Sequence, residues 1–254
     1  MSLSPPAKTA AAALYLGGLA ACRYGFAALP QLNGLNGRDV EAEFAGHYQF
    51  LTIVSLWATQ ATMVLSLAAL VVPALALPKT FLSVSVLPVE VLVSLLYWSL
   101  HFINPDLLVP PKMVPDPNSP GQMIAQRVHL PLDIDMSMHL APAVILLADF
   151  LVFSPPFPKR LRPALICGAA TLGYCLWAEY CNSINGRFAY PLLDILPPPA
   201  RGALYLGCAA TMMGVLAVAR AAHASVDKQL GRVWTEQPAD ETAKRLKQKA
   251  KKKL

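Results

Sequence analysis

The sequence predicts an all-α fold: a polytopic membrane bundle of six transmembrane helices with both termini in the cytosol. Three observations predict it. Hydrophobic residues make up 55% of the 254 positions and charged residues only 14%, far less charge than a soluble surface of this size carries. Six apolar runs are long enough to cross a bilayer. Most of the 23 prolines fall at the ends of those runs, where a helix stops.

The runs lie at about 10–30, 49–72, 81–103, 134–154, 163–183 and 202–222. Hydrocarbon leaves no solvent for backbone N–H and C=O groups, so each run is expected to be helical. Pro142 and Glu179 interrupt the fourth and fifth. The first and last carry small residues at four-residue spacing, Ala13, Gly17, Ala21 and Ala210, Gly214, which reads as ordinary helix packing. No long internal repeat is visible, which disfavours an inverted-repeat transporter.

Charge sets the orientation. The connections Leu77–Thr80 and Pro155–Arg160, with Arg162, are short and carry four basic residues and no acidic one. The remaining three connections are longer and hold Asp39, Glu41, Glu43, Asp106, Asp116, Asp133 and Asp194. Short basic loops mark the cytosolic side. From Lys228 onward the tail holds nine Lys or Arg, and an even number of spans places it on that same side. The chain is thus read as a membrane domain over 1–226 followed by a basic cytosolic tail over 227–254, expected to be disordered. The terminal Lys251-Lys252-Lys253-Leu254 resembles a dilysine retrieval signal, which points to the endoplasmic reticulum membrane. A generic polybasic end drawn to anionic lipid is the plainer alternative.

The net charge of +6 does not indicate nucleic acid, because the excess sits in the tail, whose final lysine run has no aromatic interleaving, and no recognition motif is present. The five cysteines, Cys22, Cys167, Cys175, Cys181 and Cys208, show neither a disulfide framework nor zinc spacing. His47, His101, His129 and His223 show no metal-ligand spacing either. No metal and no organic cofactor is expected. There is no Gly-rich phosphate loop and no Gly-x-Ser-x-Gly elbow.

Polar residues inside a span are costly and are functional candidates by default. Here they are Arg23, Thr52, Glu90, His139, Asp149 and Glu179. Thr52 lies roughly 5 Å inside the second span and His139 roughly 7–8 Å inside the fourth, entering from the same side. A hydroxyl and an imidazole at one depth are the minimum for an activated nucleophile. The imidazole acts as base once a partner fixes its tautomer, and Asp135, four residues earlier, is placed to do so. The bland alternatives are a threonine bonded to its own backbone and, for Glu90, a structural pair with Arg23.

These residues carry a resemblance. Gly46-His47-Tyr48-Gln49-Phe50-Leu51-Thr52, Met138-His139 followed by Asp149, the segment Asn185 to Asp194 with its Tyr190-Pro191, and Ala200-Arg201 resemble, in order, segments of the androgen-induced, FAR-17a-like membrane proteins. That family includes the androgen-dependent TFPI-regulating protein, and the likeness covers about residues 10–222. The resemblance implies a threonine hydrolase that cleaves fatty acid esters of hydroxy fatty acids, with Thr52 as nucleophile and His139 as base. The implied partners are a lipid ester substrate and membrane lipids. Asp135 and Glu179 are expected to orient or line the pocket, and Asn182 and Asn185, with backbone N–H groups, are expected oxyanion donors. The chain departs from its relatives at Asp135, where they carry Asn, at Asn182-Ser183, where they carry His, and at Leu140, where they carry Thr. These departures bear on substrate range. The alternative is a non-enzymatic lipid-binding or trafficking protein that keeps the pocket without the chemistry.

Overall fold

The computed structural model describes residues 3–34, 37–119, 121–127, 129–158 and 161–232. Most of the tail, including its lysine run, lies outside the described residues.

The chain forms helices α1 (Pro5–Leu32), α2 (Leu51–Val71), α3 (Ala76–Ile103), α4 (Leu132–His139), α5 (Ala141–Ala148), α6 (Pro163–Asn185), α7 (Pro191–Ile195) and α8 (Pro198–Gln229). Five helical segments are long and apolar enough to cross a membrane, and α4 with α5 and its continuation completes a sixth. That sixth span is broken by a 40° bend. The bend falls at Leu140, and Pro142 enters at the start of α5, where the missing N–H has no partner to lose. Past α5 the helix widens to a π-turn over Asp149–Phe153, a form that occurs mostly as short insertions at functional positions.

One local reading is corrected. Leu77–Thr80 is not a connection: α3 already begins at Ala76, and the turn lies at Pro73–Leu75. Lys79 is therefore buried within α3, ion-paired to Asp149 at 2.7 Å, and is not a free loop charge. The long connection between α3 and α4 contains an antiparallel hairpin, β1 (Lys112–Pro115) and β2 (Met123–Gln126), pairing Lys112 with Gln126 and Pro115 with Met123. The small-residue stripes mark no close helix approach at their glycines, since added Cβ atoms at Gly17 and Gly214 meet nothing within 4 Å. Close approach is made instead at Gly18, where a Cβ lies 3.1 Å from Met63 and Ile145, and at Gly25, where it lies 2.7 Å from Met138.

Lipid is as apolar as leucine, so the bundle is held by packing and by polar contacts between helices rather than by expulsion of water. One core cluster joins α1, α3, α5 and α8 through Tyr15, Val84, Leu87, Leu146 and Leu216. A second joins α1, α2 and α4 through Cys22, Ile53, Leu56, Ile134 and Met138. Between α2 and α3, Thr59 donates to the buried Glu90 at 2.6 Å. Glu90 thus pairs with a hydroxyl of α2, and the expected Arg23–Glu90 pair does not form among the described contacts.

The most polar interior cluster lies where α1, α3, the π-turn and α8 meet. Asp149 is fully buried and accepts from Lys79 at 2.8 and 2.7 Å and from Tyr15 at 2.6 Å. Ser154 also donates to it at 3.0 Å. Buried charges persist only when they are paired and hydrogen-bonded, and this carboxylate is both.

Candidate functional site

The site sits at the end of the bundle formed by the long connections. Thr52 is the second residue of α2 and only 8% exposed. The first N–H groups of a helix have no partner inside it, and here two phenols serve. The Leu51 N–H donates to the Tyr174 hydroxyl at 3.2 Å, and Tyr174 donates in turn to the Gln49 carbonyl at 3.1 Å. The Tyr190 hydroxyl lies beside the Thr52 side chain, the backbone of Leu51 and Thr52, and the Tyr174 hydroxyl. Thr52 therefore presents its hydroxyl within a cluster of phenols at a helix start, a position that favours developing negative charge.

Thr52 also lines a cavity of about 120 Å³. Its walls are almost wholly apolar and come from α2, α3, α6 and α8, with Leu92, Leu96, Leu204 and Met212 among them. The polar atoms that reach it belong to Thr52, Tyr97, Thr171, Tyr174, Tyr190 and Tyr205. An apolar cavity with few convergent polar groups is the usual form of a small-molecule site.

His139 ends α4 and is 6% exposed. Its Nδ1 stands 3.4 Å from Asp135 Oδ1, one helical turn away, near enough for charge interaction but without hydrogen-bond alignment. Asp135 is itself 2% exposed and accepts from the Tyr97 hydroxyl at 2.5 Å. The Tyr97 ring stacks on His139, with centroids 3.4 Å apart and planes 3° from parallel. Tyr97 thus lines the cavity with Thr52 and holds His139 and Asp135. No hydrogen bond joins Thr52 to His139 among the described residues.

The other candidates are placed elsewhere. Glu179 pairs with Arg201 through two contacts of 2.9 and 3.2 Å. Asn185 clamps the backbone of Phe44, accepting from its N–H at 2.9 Å and donating to its carbonyl at 3.2 Å, so its amide is already engaged. Asn182 accepts through its backbone from Gly186 at 2.8 Å, ending α6. Gly186 has φ +70°, a left-handed conformation that terminates helices and suits glycine. These contacts serve the loops that roof the site.

The roof is tied by one carboxylate. Glu43 accepts from Arg38 at 2.8 and 2.6 Å, from Gln49 at 2.9 Å, and from Arg187 across the roof. Arg38 also donates to the Ala189 carbonyl at 3.2 Å. Burial acts to raise the Glu43 pKa, but the hydrogen bonds and the Arg38 charge outweigh it and bring it down to about 2.

Sequence reasoning missed Tyr97, Tyr174 and Tyr190 as site residues. The signal that marks them is a phenol in or beside an apolar run, since a buried Tyr O–H must find a partner.

Residues 10–223 match the family described as FAR-17a/AIG1-like protein. The chain is also similar to a UPF0641 membrane protein of Schizosaccharomyces pombe, 34% identical over 169 residues, covering 65% of this chain and 70% of that protein. No solved structure matches the chain.

Proposed function

The chain belongs to the FAR-17a/AIG1-like protein family, and on that premise we propose that it is an intramembrane hydrolase of lipid esters, with Thr52 as nucleophile and His139 as base. The family includes hydrolases. The observation that carries the reading is the position of Thr52: a hydroxyl at the mouth of α2, on the wall of an apolar cavity that also presents Tyr97, the side chain stacked on His139.

The chemistry is a two-step acyl transfer. With an ester bound, the Thr52 hydroxyl turns to the His139 imidazole, which takes its proton. Catalytic hydrogen bonds are commonly long in the free enzyme and tighten with substrate. The threonine oxygen attacks the carbonyl carbon, and the Tyr190 hydroxyl with the positive end of the α2 dipole stabilises the oxyanion. The C–O bond breaks, the leaving alcohol takes the proton from His139, and acyl-threonine remains. Water, deprotonated by His139, then releases the acid and regenerates Thr52. Asp135 stands beside the imidazole, and Tyr97 holds both. Esters of fatty acids with hydroxy fatty acids are the substrate class we favour. The protein acts in the endoplasmic reticulum membrane with both termini cytosolic and the catalytic end lumenal.

A second reading is a lipid-binding protein without catalysis, favoured by the absence of a direct Thr52–His139 hydrogen bond among the described residues. One experiment separates the two. Purified protein is treated with a fluorophosphonate probe and assayed on a panel of lipid esters beside Thr52→Ala and His139→Ala. Labelling and turnover lost in folded variants support the hydrolase. Lipid binding with no labelling and no cleavage supports the carrier.

A further inference from the structure

Arg23 has no use in the site described above and no partner among the described residues. It lies in α1, nine residues before the helix ends at Leu32, so roughly 14 Å along the axis from that end. Its side chain is exposed, and among the described residues nothing engages it. An arginine within a membrane helix almost always faces the bundle interior, pairs with an acid or lines an aqueous path. Among the described residues Arg23 does not pair, and it lines an open groove of about 530 Å³ between α1, α2 and the 41–48 connection.

The groove opens on an exposed apolar face of α2. Trp57 forms part of it and is 45% exposed, and Val54 and Val64 on the same helix are 41% and 55% exposed. Phe26 packs on Trp57 with ring centroids 4.8 Å apart, giving an apolar wall. The rim is polar. His47 Nε2 is buried without a hydrogen-bond partner, 3.8 Å from Glu41 Oε1. Glu41 is 55% exposed, and Tyr48 lies beside it on the rim.

We propose that this groove binds the headgroup of a zwitterionic membrane glycerophospholipid. The phosphate meets the Arg23 guanidinium and the His47 Nε2–H, the lipid ammonium meets Glu41 and the Tyr48 ring, and an acyl chain lies along Phe26 and Trp57. The complementarity has three parts: a lone guanidinium needs an anion, an exposed carboxylate beside an aromatic ring suits an ammonium, and the apolar wall suits a chain. The site is separate from the proposed hydrolase site and stands whether or not that chemistry holds.

The test is native mass spectrometry of the full chain in nonionic detergent, titrated with dioleoyl phosphatidylethanolamine, phosphatidic acid or dioleoylglycerol, and repeated with inorganic phosphate present. The expected result is a single retained phosphatidylethanolamine, bound about tenfold or more weakly by Arg23→Gln and held better by Arg23→Lys. Glu41→Gln weakens phosphatidylethanolamine and leaves phosphatidic acid unchanged. Equal binding of dioleoylglycerol, or unchanged binding by a folded Arg23→Gln, overturns the proposal. Displacement by inorganic phosphate also overturns it, since the site then takes a soluble anion. Unaltered phosphatidylethanolamine binding by Glu41→Gln overturns the ammonium contact and with it the zwitterionic headgroup.

Discussion

Tyr97 and Asp135, on α3 and α4, are joined by a 2.5 Å hydrogen bond, and the same tyrosine ring covers the face of His139. One residue therefore fixes both the base and the carboxylate beside it, and it does so from the cavity wall. Tyr97→Phe keeps the stack and removes the hydrogen bond. We expect kcat to fall about tenfold, the worth of one hydrogen bond to a charged group, with KM little changed. A steady-state assay on the lipid ester checks it, and a KM rise at constant kcat would instead assign Tyr97 to binding.

His139→Ala removes the base. General-base catalysis contributes typically 10²–10⁴-fold, and a loss in that range is expected in single-turnover measurements. Thr52→Ala is expected to abolish both turnover and fluorophosphonate labelling, while Thr52→Ser retains labelling. Near-normal hydrolysis by the alanine variant rejects the assignment of the nucleophile.

Lys79→Met strands the Asp149 carboxylate in the interior. Breaking one side of a buried pair costs about 3–5 kcal/mol, read as a large drop in melting temperature in detergent. The double variant Lys79→Met, Asp149→Asn recovers part of that loss, because no unpaired charge is left behind. Equal melting of single and double variants would show that the pair contributes no coupling.

Glu43 links stability to pH. Its folded pKa is lowered from 4.5 to about 2, so its contribution is fully present above about pH 4.5 and is lost as the pH falls toward 2. The side chain is 9% exposed, and the contribution is of order 3 kcal/mol. Wild-type protein is expected to lose melting temperature over that acid window, and Glu43→Gln to start lower and show a flatter profile there. A Glu43→Gln profile parallel to wild type would remove Glu43 as the source.

The helical bundle was legible in the sequence because span length and hydropathy follow from the thickness of the bilayer, and all six spans appear where the apolar runs lie. The break at Leu140 was foreshadowed by Pro142. Lys79 misled because a lysine beside Pro78 at the edge of an apolar run reads as loop, while its partner Asp149 lies 70 residues later in the chain. The β1–β2 hairpin carries no strong alternation and was invisible for that reason. At the site, the proximity of Asp135 to His139 follows from helical spacing. Tyr97 and Tyr190 come from distant segments, and only the packing of α3 on α4 and of the α7 region on α2 brings them in.

The ammonium of Lys79 and the carboxylate it needs are made at different times. At ribosomal rates of about 5–20 residues per second, the intervening 70 residues take roughly 4–14 s to emerge. Through that interval the start of α3 holds its cation at the water boundary, and the α1–α3 unit is unfinished however well its apolar faces match. In chains stalled before residue 149 the lysine is expected to react with a water-soluble amine reagent, and in the full chain to be shielded by Asp149.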